Sequence, residues 1–184
     1  MSKHLFAEAL KKTNMTTMTL PPDNCALNAL ARTLVDTLRA RGSRVTTAES
    51  CTGGWIAKMI TDLPGSSEIF DVGVVTYSNA AKQSLLGVST ETLVRHGAVS
   101  RECAAEMVSG ALARYGAEIA VAVTGIAGPT GGTPDKPIGT VWIGWQRREG
   151  EIVTELFHFD GDREAVRRRT VAAALEGLLK HIAP

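Results

Sequence analysis

The sequence predicts an α/β protein: a three-layer α/β/α fold on a mixed, mostly parallel sheet of about five strands. Three observations carry that expectation. Short β-branched or apolar runs at 44–48, 72–76 and 119–123 alternate with stretches of helical apolar spacing, as crossover-connected parallel strands do. Two later runs, Thr140 to Gln146 and Ile152 to Phe159, flank a short turn at Glu149-Gly150, which predicts an antiparallel hairpin. Ser, Asp and Gly fall where helices must start and stop.

Each element follows in order. Met1 to Leu20 is polar and weakly patterned, and Pro21-Pro22 breaks any regular structure. Residues 1–20 are therefore expected to be a mobile tail, and 21–184 one domain. Asp23 is placed to cap a helix reaching Arg41, with Ala26, Leu27, Leu30, Leu34 and Leu38 on one face and Gly42 ending it. The strand at 44–48 leads through Glu49-Ser50-Cys51-Thr52-Gly53-Gly54 into a helix ending at Asp62, with Trp55, Ile56, Met59 and Ile60 apolar. Pro64-Gly65 makes a loop before the second strand, Val72 to Thr76. Ser78 or Asn79 opens a helix that carries Lys82, Leu85 and Leu86 and stops at Gly87. Ser89 starts a short helix that ends at His96-Gly97. Ser100 caps a longer one, with Ala104, Met107, Val108, Ala111, Leu112 and Tyr115 in helical register and Gly116 closing it. The third strand, Ile119 to Val123, runs into a glycine-rich loop, Thr124 to Gly132. After the hairpin, Asp162 caps a last helix with Leu175, Leu178, Leu179 and Ile182 on its apolar face.

Composition excludes several classes. Twenty basic residues against 19 acidic ones leave a net charge of +1, so no direct nucleic-acid partner is expected. No apolar run approaches the ~20 residues of a membrane span, and Met1 to Thr17 lacks an apolar signal core. No membrane partner is expected, and the location reads as cytoplasmic. Cys25, Cys51 and Cys103 are odd in number and widely spaced, as reduced thiols are; Cys25 and Cys103 lie in helical stretches and are expected in the core. His4, His96, His158 and His181 show no ligand spacing, so neither a metal nor a cofactor is expected.

Chemistry is expected where loops 49–54, 76–82 and 124–132 follow the first three strands. In open α/β sheets the carboxyl ends of parallel neighbours form the ligand crevice. Ser50 lies at such an end, beside the free N–H groups of a helix start. It reads either as an N-cap or as a nucleophile whose oxyanion those N–H groups would hold. Lys82, in the first turn of its helix, is either a solvated surface lysine or a base whose pKa burial and the helix dipole lower. Tyr77 either packs with its hydroxyl in water or bonds Ser50 or Lys82. Cys51 is the rival nucleophile, since a helix N-terminus can depress a thiol pKa. Loop 124–132 lacks the Walker pattern; it is either an anion cup or a plain connection. Arg167-Arg168-Arg169 reads as a solvated helix face.

These residues resemble a known family. Thr47-Ala48-Glu49-Ser50-Cys51-Thr52-Gly53-Gly54, Val75-Thr76-Tyr77-Ser78-Asn79 with Lys82, Gly97-Ala98-Val99-Ser100 and Thr124-Gly125-Ile126-Ala127-Gly128-Pro129 with Gly131-Gly132 are similar to the CinA C-terminal domain family. Lys136-Pro137 with Gly139-Thr140-Val141, and Gly161-Asp162-Arg163 with Val166-Arg167, extend the match. The resemblance implies hydrolysis of the carboxamide of nicotinamide mononucleotide to nicotinate mononucleotide and ammonia. It implies Ser50 and Lys82 as a catalytic pair with Tyr77 as helper. It places the substrate against Cys51, Thr52, Gly53, Gly54, Asn79, Thr124, Gly125, Ala127 and Gly128. Glu49 would face the cationic pyridinium or pair with a structural cation. Longer members carry a further N-terminal domain, whose activity is not expected here. A homo-oligomer, in the form of a dimer, is expected of so compact an α/β enzyme. The competing reading is a non-catalytic nucleotide-binding or regulatory protein linked to competence or DNA damage.

Overall fold

A computed structural model of the 184-residue chain describes residues 20–182. Residues 1–19, which hold nearly all of the expected tail, lie outside the described part. Helix α1 (Asn24–Arg41) leads to strand β1 (Val45–Glu49), helix α2 (Trp55–Thr61), a single 3₁₀ turn at Ser66–Glu68 and strand β2 (Phe70–Val75). Helices α3 (Asn79–Leu86), α4 (Thr90–Arg95) and α5 (Arg101–Tyr115) precede strand β3 (Ile119–Gly125). Strands β4 (Thr140–Arg147) and β5 (Ile152–His158) form the hairpin, and α6 (Arg163–Ile182) closes the described chain.

The five strands lie in the order β2-β1-β3-β4-β5. β1 pairs in parallel with both β2 and β3, while β4 runs antiparallel to β3 and to β5. Four strands therefore share one direction and β4 opposes them, which is the mixed sheet expected from the sequence. In register, Glu49 lies beside Val75 on one side and Val123 on the other. The carboxyl ends of the first three strands are thus level, and the three loops leave from one edge.

The two faces of the sheet differ in side-chain size. Ile119, Val121 and Val123 of β3 join Leu27, Leu34 and Leu38 of α1, Ile56 and Ile60 of α2, and Leu175 and Leu178 of α6 in one apolar cluster. The alternate residues of β3, Ala120 and Ala122, face the cluster of α3 and α5. Small residues there let helices approach closely: a Cβ on Gly144 of β4 would lie 3.0 Å from the Ala104 carbonyl oxygen, and one on Gly110 would strike that of Leu86.

The helix signals work as read. Asp23 Oδ1 accepts the Ala26 N–H at 2.8 Å, and Gly42 takes a left-handed conformation after α1. Ser78, Ser89 and Ser100 cap α3, α4 and α5 through their hydroxyls. Some faces are corrected. The buried stripe of α1 is Leu27, Ala31, Leu34, Val35 and Leu38, so Ala26 is exposed, and so is Cys25, which is not core. Leu85 is also largely exposed, because α3 turns Lys82 and Leu86 inward instead. No described helix is long and apolar enough to cross a membrane.

Candidate active site

Two level strands send their chains to opposite faces of the sheet. β1 feeds α2 on the Ile/Val face, and β2 feeds α3 on the alanine face. A crevice opens where they part, at the Ser50 turn. The turn is pinned by the backbone: Ser50 N–H donates to the Val123 carbonyl at 3.0 Å, and Thr76 N–H to that of Glu49 at 2.8 Å. Gly53 and Gly54 then take φ of 63° and 93°, a left-handed pair that side chains disfavour.

Lys82 is the fourth residue of α3 and is only 1% exposed. Its Nζ lies 3.0 Å from Ser50 Oγ and donates to the Thr76 carbonyl at 2.8 Å. Among the described residues it forms no ion pair. Burial without a carboxylate penalises the charged ammonium, so the Lys82 pKa is lowered from its usual 10.5. The solvated-lysine reading is thereby corrected, and Ser50, 8% exposed, meets the lysine amine across 32 residues of sequence.

Cys51 is not a thiolate. It is buried, and burial pushes its pKa up to about 12, against the depressed value expected of a helix-start thiol. Cys103 is core as expected, and burial raises its pKa to about 11.

Glu49 does something the sequence did not announce. Its buried carboxylate accepts the Thr52 hydroxyl at 2.7 Å and the N–H groups of Gly54, Ile56 and Ala57 at 3.0, 3.1 and 2.8 Å. In this way it caps α2. The donors expected to hold an oxyanion are therefore largely engaged, since the Gly53 N–H also turns back to the Ser50 carbonyl. The Cys51 and Thr52 N–H groups are the donors next to Ser50 in sequence.

Tyr77 is 61% exposed, and its hydroxyl accepts from Arg163 Nη2 at 2.8 Å rather than bonding Ser50 or Lys82. Arg163 also donates through Nη1 to the Gly128 carbonyl at 2.8 Å. One guanidinium thus joins the second and third loops to the start of α6. In the third loop, Thr124 Oγ1 donates to Ala98 O at 2.7 Å, Gly125 ends β3, and Ala127 is buried in the core. Asn79 opens α3 and is exposed.

Beside the Ser50 turn lies a cavity of about 930 Å³, lined among others by Gly53, Gly54, Trp55, Arg163 and Arg167. Arg167 Nη2 donates to the Thr52 carbonyl at 2.6 Å, and the Arg167 and Arg168 guanidinium carbons each lie 5.1 Å from the Trp55 ring centre. The solvated-face reading of these arginines is corrected. Arg168 and Lys58 have acidic partners, Glu164 and Asp62. Arg163 and Arg167 form no described ion pair and remain the cations of this cavity. Their spacing of four on one helix face was the available signal.

A buried serine hydroxyl, a buried lysine without an ion pair among the described residues and a cavity lined in part by arginines thus lie together at one edge of the sheet. The CinA C-terminal domain family model matches residues 27–182, and the chain belongs to that family. It is 53% identical over 152 residues to the nicotinamide-nucleotide amidohydrolase PncC of Escherichia coli K12, covering 83% of this chain and 92% of that protein. The PncC of Pseudomonas putida is 54% identical over 154 residues, covering 84% and 96%. Among solved structures, the competence/damage inducible protein CihA of Agrobacterium tumefaciens superposes with a TM-score of 0.83 at 46% identity, covering 89% of this chain and 98% of that one.

Proposed function

We propose that the chain hydrolyses the carboxamide of nicotinamide mononucleotide to nicotinate mononucleotide and ammonia, with Ser50 as nucleophile and Lys82 as base. The observation that carries the mechanism is the Lys82 Nζ, buried without an ion pair, 3.0 Å from Ser50 Oγ. The substrate reading is supported by the amidohydrolase relatives and by Arg163 and Arg167, which lack ion pairs among the described residues, in the cavity beside the Ser50 turn.

Neutral Lys82 takes the Ser50 proton as Oγ attacks the carboxamide carbon. The tetrahedral oxyanion is met by the Cys51 and Thr52 N–H groups; one such donor is typically worth about 10²–10³ in rate. Protonated Lys82 then passes its proton to the leaving nitrogen, and ammonia departs. Water, deprotonated by Lys82, attacks the acyl-Ser50 ester; the acyl C–Oγ bond breaks, Lys82 returns the proton to Ser50 Oγ, and the acid leaves. Water is the one co-reactant the balance requires. The phosphate sits against the backbone of the 124–132 loop and the Arg163 and Arg167 guanidinium groups. Tyr77, held by Arg163, borders the ring and ribose at the mouth. Asn79, Gly53, Gly54, Thr124, Gly125, Ala127 and Gly128 shape the walls.

The test is ammonia release from nicotinamide mononucleotide by wild type, Ser50→Ala and Lys82→Ala. Release by wild type alone is expected. An inactive wild type would leave a nucleotide-binding protein in which Ser50 only ends a strand, and an active variant would remove that residue from the dyad.

A further inference from the structure

We propose that Glu49 is a positioning residue for the nucleophile: it ties the start of α2 to the end of β1 and so fixes the turn that carries Ser50. The inference rests on the reading of Ser50 as nucleophile and goes beyond it.

The geometry is specific. Glu49 is the last residue of β1, 1% exposed, immediately before Ser50. Oε2 accepts from the Thr52 hydroxyl and from the Gly54 and Ile56 N–H groups, and Oε1 from the Ala57 N–H. Four donors, two to seven residues beyond Ser50, thus converge on one side chain that precedes it. Ser50 and Cys51 are held between these anchors, and the Gly53–Gly54 pair allows the chain to fold back. A helix N-terminus beside a nucleophile is the expected seat for an oxyanion. Here the chain's own carboxylate fills it, and the nearest donors for developing charge become those of Cys51 and Thr52. Glu49 forms no ion pair with Lys82 among the described residues, so the base stays without a countercharge.

A carboxylate is required because it is acceptor-only. In Glu49→Gln the amide NH₂ must point at Ala57 N–H or at the three-donor cluster, so donor faces donor whichever way it turns. The turn then relaxes while Lys82 keeps its bond to the Thr76 carbonyl. A displacement of about 1 Å at a reacting atom costs on the order of 10²-fold.

The experiment reads Ser50 without relying on the nucleotide substrate. Wild type and Glu49→Gln are treated with an alkyl sulfonyl fluoride, and Ser50 modification is followed by intact mass over a pH series. In that reaction the Oγ–S bond forms, S–F breaks, fluoride leaves and Lys82 takes the proton. Near-UV circular dichroism reports the fold, and kcat and KM are measured on nicotinamide mononucleotide. We expect folded Glu49→Gln to react about 10²-fold more slowly, with kcat falling alike, KM within about twofold and the pH midpoint unmoved. A wild-type rate in the folded variant overturns the proposal, as does a shifted midpoint, which would mean that Glu49 acts on Lys82. Should Glu49→Gln not fold, Thr52→Val removes one of the four contacts. About tenfold slowing at an unmoved midpoint supports positioning, and a wild-type rate overturns it. If wild-type Ser50 does not react, no activated serine exists to be held and the proposal falls. If wild type is sulfonylated but releases no ammonia, the amidase reading falls and the positioning role is still decided by the variant's rate.

Discussion

The Ser50–Lys82 crevice and the arginine-lined cavity beside it share the Ser50 turn but follow opposite electrostatic rules. In the crevice one lysine is stripped of water and given no acidic partner, so its charge is disfavoured. In the cavity, Arg163 and Arg167 spend their hydrogen bonds on carbonyls and a phenol: Gly128, Thr52 and Tyr77. Arginine stays protonated under conditions where a buried lysine yields. Lysine suits the place where a proton must move, and arginine the place where an anion must be held.

The largest expected effect separates the two regions by kinetics. Ser50→Ala and Lys82→Met should each lower kcat by about 10³-fold or more, and the double variant by little further, because the pair acts as a unit. Ammonia release with substrate in excess measures this. Arg167→Ala and Arg163→Ala should instead raise KM by about 10- to 100-fold with a smaller change in kcat, as expected for lost charge-assisted contacts. A cavity variant that lowers kcat alone would break the division.

The pH dependence sharpens it. The base works unprotonated, so kcat should rise with pH and level off below the 10.5 of an ordinary lysine. Stability carries the same signature. Lys82 has its folded pKa depressed, so between that value and 10.5 the unfolded chain binds a proton that the folded chain lacks. Stability from this group therefore rises with pH through the window, and below it the penalty is complete. Lys82→Met should be more stable than wild type near neutral pH by about 1 kcal/mol, with the gap closing toward pH 10.5 in denaturant titrations. Cys51→Ala should have the smallest effect, keeping kcat within about tenfold, because a thiol with a pKa of about 12 is no nucleophile.

The positions of Ser50 and Lys82 were legible because their signals are local or periodic, while spacing left their roles open. Ser50 stands between a strand and a Gly-Gly helix entry, and Lys82 follows a Ser cap, so both could be placed by rules of spacing alone. Glu49 was not legible in the same way. By sequence it is the first residue of loop 49–54, and a lone glutamate there gives no hint that its partners lie in the next helix. Tyr77 and Arg163 lie 86 residues apart, and Arg167 and the Thr52 carbonyl 115 apart. A run of three arginines looks the same on a solvated helix as on one that overhangs a tryptophan.

The sequence by itself determined the order of strands and helices, their caps, the alternating large and small residues of β3, and the turn that bears Ser50. Those follow from backbone sterics, capping and hydrophobic period, which act within a few residues. Only the tertiary structure decided which loops meet, that Lys82 loses its water, that Glu49 takes the α2 N–H groups, and that Tyr77 turns to Arg163. Each of these depends on how closely the layers pack and on which donors a distant segment leaves unfilled, and neither quantity is encoded at any single position in the chain.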